Sequence, residues 1–140
     1  MEMTIKDLNI KEIVKGLPSI ATKNNWVFTY DEDEGALFYA PNKEIPEGSV
    51  LYQVTDEYSL YLNKDKGYAL EGMFVECFDK NFIEHHDGFK DIATELFKIR
   101  ENATSETQTV VNPHKSTSDK AATFKKLLEL TFINETLATV

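Results

Sequence analysis

Cysteine is almost missing from this chain. Of 140 residues only Cys77 carries a thiol, so no intramolecular disulfide can form and the fold must stand on packing alone. Basic residues are also few: 15 Lys and Arg stand against 24 Asp and Glu, a formal charge of −9. That sign repels phosphate backbones and argues against direct binding of nucleic acid. It suits a basic protein partner or self-association, and it also keeps a small protein soluble. Long apolar runs are absent: no window approaches the roughly 20 residues of a membrane span. The opening MEMTIKDLNIKEIVKG lacks the basic region and apolar run of a secretory signal, so the expectation is a cytoplasmic protein without membrane contact. Glycines are scattered and build no phosphate-cradling loop, and no cofactor is expected.

Aromatic residues are what the chain does have, concentrated before residue 100. Flat rings pack well on a pleated surface, so they favour a sheet. WVFTYDEDEGALFY, residues 26–39, reads as two aromatic strands around an acidic turn closed by Gly35, a β-hairpin. A second turn, residues 63–67, separates YSLYL from the run between Tyr68 and Phe78. Ser49–Thr55 makes a further strand, for five in all. Tyr58, Leu60 and Leu62 share one face of their strand and Tyr61 takes the other. A sheet wet on one side alternates more cleanly than this. Helices should therefore cover one face and a partner or second copy the other.

Helical spacing appears on both sides of this block. Ile10, Ile13, Val14 and Leu17 fall at i, i+3, i+4 and i+7, which predicts a helix from Ile5 to Gly16 and a shorter one from Pro18 to Asn24. Phe89, Ile92, Ala93, Leu96 and Phe97 predict another. Residues 101–118 are rich in Ser, Thr, Asn and Gln and read as a polar linker. Residues 119–140 then form an amphipathic helix. Its apolar side chains, Phe124, Leu127, Leu128, Ile133 and Leu137 among them, must dock somewhere, because an isolated helix of this length is marginal in water. It either packs back on its own sheet or, on its tether, docks in a partner's groove or on a second copy; in the second case these side chains are the partner-binding residues.

The hairpin block resembles the DUF2283 family of small bacterial domains. The residues that carry the resemblance are Tyr30-Asp31-Glu32-Asp33, then Leu37-Phe38-Tyr39, and later Leu70-Glu71-Gly72-Met73-Phe74-Val75-Glu76. It covers residues 26–85. The chain departs from the pattern at Gly72-Met73-Phe74, where the family has Gly-Ile-Glu, and adds flanking helices. The family carries no assigned catalysis, and its members resemble partners of small ribonuclease-like toxins. The resemblance thus implies binding and assigns no active-site residue.

Three constellations offer chemistry. The acidic turns Asp31-x-Asp33-x-Gly35 and Asn63-x-Asp65-x-Gly67 supply oxygen ligands but lack the closing Glu and flanking helices of a calcium loop; hairpin turns explain them. Glu84-His85-His86-Asp87 is the densest set of metal-ligand types. Neighbouring histidines point in different directions on any regular element, so the set reads as a strand-to-helix junction. Cys77 lies among Phe74, Val75 and Phe78 without a cationic neighbour to activate it, and reads as a small buried residue.

The expected molecule is an α+β domain over residues 1–100, with an antiparallel five-stranded β-meander at its core (26–85). N-terminal and C-terminal helices pack on one face. The expected function is a non-enzymatic acidic interaction module, antitoxin-like or regulatory, binding a basic protein. A small metal-dependent hydrolase using the Glu84–Asp87 cluster, or a homo-oligomeric structural protein, is the alternative.

Overall fold

The computed structural model describes residues 9–42, 46–86, 88–99, 108–114 and 119–138. The architecture is α+β, with one antiparallel sheet and helices at both ends of the chain.

The N-terminal pair is α1 (Ile10–Lys15) and α2 (Leu17–Lys23). Asn9 caps α1 by accepting the amide hydrogen of Glu12 at 3.3 Å. Gly16 ends α1 and leads into α2, whose first turn takes Pro18. The predicted start at Ile5 lies outside the described residues. Asn25, in the left-handed conformation (φ 53°), turns the chain into the sheet.

The strands are β1 (Trp26–Asp31), β2 (Ala36–Pro41), β3 (Ser49–Gln53), β4 (Tyr58–Asn63), β5 (Ala69–Val75) and β6 (Gln108–Val111). Both predicted turns form. Asp31 Oδ1 accepts from the Asp33 amide at 3.0 Å, and Gly35 closes the first turn at φ 66°. Asn63 accepts from the Asp65 amide at 3.0 Å, and Gly67 closes the second at φ 65°.

The sheet has six strands rather than five, in the order β3-β4-β5-β2-β1-β6. Two features correct the five-stranded meander. β2 pairs with β5 and not with β3, in a register that places Phe38 opposite Phe74. The two rings lie 5.0 Å apart, a cross-strand contact that a β2–β3 pairing would not provide. β6 comes from the stretch read as polar linker. Its Gln-Thr-Val-Val is too short to stand out, but it satisfies the free edge of β1 by pairing Phe28 with Val111.

Alternation divides the sheet into two faces. Trp26, Phe28, Tyr30, Leu37, Tyr39, Tyr58, Leu60, Leu62, Met73 and Val75 share the inner face and are buried in a single core. Every helix adds side chains to this core: Val14, Leu17, Phe97, Phe124, Leu128 and Phe132 are fully buried there.

After β5 the chain makes one π-turn (Phe78–Phe82), then α3 (Ile83–His85) and α4 (Lys90–Phe97). Cys77 opens the π-turn in the left-handed conformation (φ 50°) and is exposed, not buried as its apolar neighbours suggested. Phe78 and Phe82 take the buried places on either side of that bend.

The last helix, α5 (Asp119–Ala138), lies between α1 and α4. It docks in cis. Phe124 and Leu128 are buried in the chain's own core, and Leu127 and Ile133 are half-buried against it. Leu137 is half-buried as well. Of the two dockings open to this helix, the structure takes the one on its own sheet, with Phe124 and Leu128 enclosed there. The reason is the sheet's need for a cover: without α5 its inner-face aromatics would meet water. A polar contact fixes the register. The Tyr39 hydroxyl donates to Glu129 at 3.1 Å, and Lys125 pairs with the same carboxylate at 2.8 Å, one turn earlier on α5.

Candidate functional site

Among the described residues, two regions carry groups that the core does not require. One is the outer face of the sheet; the other is a polar seam where the β3–β4 turn, α3 and α5 meet.

The outer face presents residues that alternate with the core positions. Phe38, Tyr61 and Phe74 are half-buried, and Leu51 and Val110 on the two edge strands are about half open, at 52% and 50%. Val27, Ala36 and Ala40 are buried on this side, yet none of these outer residues belongs to the core cluster that joins sheet to helices. Gly72 has a local role here. A Cβ at this position would stand 3.0 Å from Ala40 Cβ and 3.4 Å from the Tyr61 ring, so the bare backbone lets that ring lie close to the sheet. Tyr61's hydroxyl is pushed to hold its proton more tightly, first by burial and then by the carboxylate of Glu34. An acid of the β1–β2 turn therefore acts on this apolar surface.

The seam is built from three distant stretches. In the β3–β4 turn the Thr55 hydroxyl accepts the amide hydrogens of Glu57 and Tyr58, both at 3.2 Å, folding the turn tightly and fixing Glu57. His86 follows α3, and its ring stacks on Phe82 at 4.2 Å with Phe89 edge-on at 6.1 Å. Glu135 stands on the last turns of α5. His86 Nε2 lies 2.6 Å from Glu57 Oε2, and its Nδ1 lies 3.3 Å from Glu135 Oε1. His85 Nδ1 approaches the other oxygen of Glu57 at 3.6 Å. Tyr58 is fully buried beside this group, and its hydroxyl lacks a well-formed hydrogen bond.

The electrostatics follow from the crowding. Burial holds the Glu135 carboxyl above the usual carboxylate range; nearby Glu57 adds to this and His86 opposes it. Burial likewise raises Tyr58, with the carboxylates of Glu135 and Glu57 reinforcing the effect. Ligand atoms from Glu57, His86 and Glu135 all lie within 4.8 Å of one another, and among the described residues they could hold a metal ion.

The ligand set read from the sequence assembles differently. His85 and His86 are brought to Glu57. Glu84 instead pairs with Lys90 at 3.3 Å, and Asp87 lies outside the described residues. The partners of His86 stand 29 and 49 residues away in the chain, and local spacing carries no signal for them. The acidic turns serve as turns, each held by its own Asx contact. Among the described residues no helix is long and apolar enough to cross a membrane. Comparison with family models, with curated proteins and with solved structures finds no match to this chain.

Proposed function

We propose that this chain is a non-enzymatic acidic interaction module, antitoxin-like or regulatory in type, that takes a basic protein on the outer face of its sheet. The observation that carries the reading is the set of apolar side chains on this face, Leu51 and Val110 open at the edges and Tyr61, Phe74 and Phe38 half-buried between them, none of which belongs to the cluster that joins sheet to helices. Apolar side chains gathered on one sheet face outside the core are the kind of surface that contact sites use. Aromatic residues supply most of the energy where such surfaces meet a partner. The acidic turn that borders it, Asp31-Glu32-Asp33-Glu34, and the net charge of −9 favour a cationic partner and a fast, salt-sensitive encounter. The resemblance of residues 26–85 to DUF2283 domains points the same way, toward a small basic ribonuclease-like protein.

The test is affinity capture from the source cells with three baits: the parent chain, Phe38→Ser/Phe74→Ser, and Leu130→Ser as a control on the exposed side of α5. The expected result is one stoichiometric basic protein, retained by the control, lost with the double variant and released by salt. Capture that is equal on all three baits would contradict the reading. So would a self-associated form that the double variant dissolves, since it would assign the face to a second copy.

A further inference from the structure

We propose that Glu57, His86 and Glu135 form a binding site for a divalent transition-metal ion, which ties the C-terminal helix to the sheet. The site is separate from the outer sheet face, so its fate does not depend on the partner reading.

Convergence is the first ground. Three residues from a strand–strand turn, a short helical turn and the last turns of α5 meet although 29 and 49 residues separate them. Their ligand atoms lie within 4.8 Å of one another. Ligands about 2 Å from a tetrahedral ion stand about 3.3 Å apart; Glu57 and Glu135 sit at opposite ring nitrogens of His86, so in the loaded site one carboxylate turns from its own nitrogen toward the ion held on the other. Charge is the second ground. With both carboxylates ionised, the group keeps an excess of negative charge whether the imidazole is protonated or not. A divalent ion removes that excess, and no lysine or arginine contacts Glu57 or Glu135 among the ion pairs of the described residues.

The third ground is Tyr58. Its side chain is fully buried, and its hydroxyl turns to the Glu135 carboxylate in a contact that falls short of full hydrogen-bond geometry. Buried hydroxyls are normally satisfied. A carboxylate turned toward an ion with one oxygen leaves the other to accept from this hydroxyl, the usual outer support of a metal ligand.

Donor type selects the ion. Imidazole nitrogen with carboxylate oxygens suits zinc, manganese, iron(II), cobalt or nickel, whereas calcium and magnesium favour all-oxygen sets. His85, 3.6 Å from Glu57 and exposed, is within range to complete the coordination. The metal would join the β3–β4 turn, the turn before α4 and the end of α5, and so act as a clamp on the helix layer.

The experiment uses the full chain, free of any tag and stripped with chelator, titrated with zinc sulfate and with manganese chloride. Binding of one ion per chain is expected. At about a hundredfold excess over Kd the melting temperature should rise by roughly 8 °C. Glu57→Gln and Glu135→Gln should each weaken affinity at least about tenfold, while Glu84→Gln should leave it unchanged. In the parent protein the His86 ring resonances should shift with saturation, a readout that needs no variant to fold. The proposal is overturned if neither ion raises the melting temperature. It is equally overturned if only His85 and His114 respond, or if both Gln variants bind as the parent does.

Discussion

The two faces of the sheet are built from the same kinds of residue and meet opposite fates. Phe28 on β1 stacks on Tyr39 at 4.3 Å, takes the edge of Phe124 at 5.0 Å, and is fully buried. Phe38, on the neighbouring strand and opposite Thr29, pairs with Phe74 and is only half-buried. Strand propensity cannot separate them, for both are phenylalanines in adjacent strands. The difference comes from the helix layer, above all α5, which supplies partners to one face only. Burial turns an aromatic side chain into stability; leaving it open reserves it for something else.

The largest expected effect comes from removing the cover. Deleting residues 115–140 should leave a chain that aggregates or shows no cooperative melting, since the inner aromatics lose Phe124, Leu128 and Phe132 together. Phe124→Ala alone should cost about 3–5 kcal/mol, measured by urea unfolding. A truncated chain that melted like the parent would mean that α5 is not part of the core.

A pH series sharpens the same contrast. Burial raises the hydroxyl pKa of Tyr30, Tyr39 and Tyr58 on the inner face, and the neighbouring Asp79, Glu129 and Glu135 reinforce the shift. In the unfolded chain these groups ionise near pH 10. The folded state then holds more protons than the unfolded one, so stability is intact below about pH 10 and falls as pH rises beyond it. Phenolate absorbance of these three should appear only with unfolding. Its appearance in a still-folded protein would show the inner face to be wet.

A smaller effect is expected at the polar contact between layers. Tyr39→Phe removes one hydrogen bond to Glu129 but leaves Lys125 in place; the cost should be about 1 kcal/mol. A much larger loss would mean that Glu129 depends on Tyr39 rather than on Lys125. The smallest effect belongs outside. Phe38→Ser/Phe74→Ser should change stability by about 1 kcal/mol or less, because both rings keep part of their surface in water and lie outside the core cluster.

Much of this arrangement is legible in the residues, within limits set by distance along the chain. The hairpin turns announce themselves because Asp31, Asn63, Gly35 and Gly67 are the residue types that such turns require. Alternation in YSLYL assigns Tyr61 to the face opposite Leu60 correctly. The order of strands is not local information: β2 finds β5 through a register that joins Phe38 to Phe74, 36 positions apart. β6 escapes notice because four residues set in a polar stretch carry almost no periodic signal, and their pairing depends on the open edge of β1. Glu129 is hidden for a related reason. A charged residue inside the buried stripe of α5 makes sense only once Tyr39 and Lys125 are seen beside it. The seam at His86 is the extreme case, since its chemistry resides in contacts that no spacing rule connects.

The most direct test of the division between faces is a matched pair of single truncations, Phe28→Ala and Phe38→Ala, followed by thermal and urea unfolding. The account predicts that Phe28→Ala costs about 3–5 kcal/mol while Phe38→Ala costs about 1 kcal/mol or less. Equal losses from the two would contradict it, because the outer face would then be packed as tightly as the inner one.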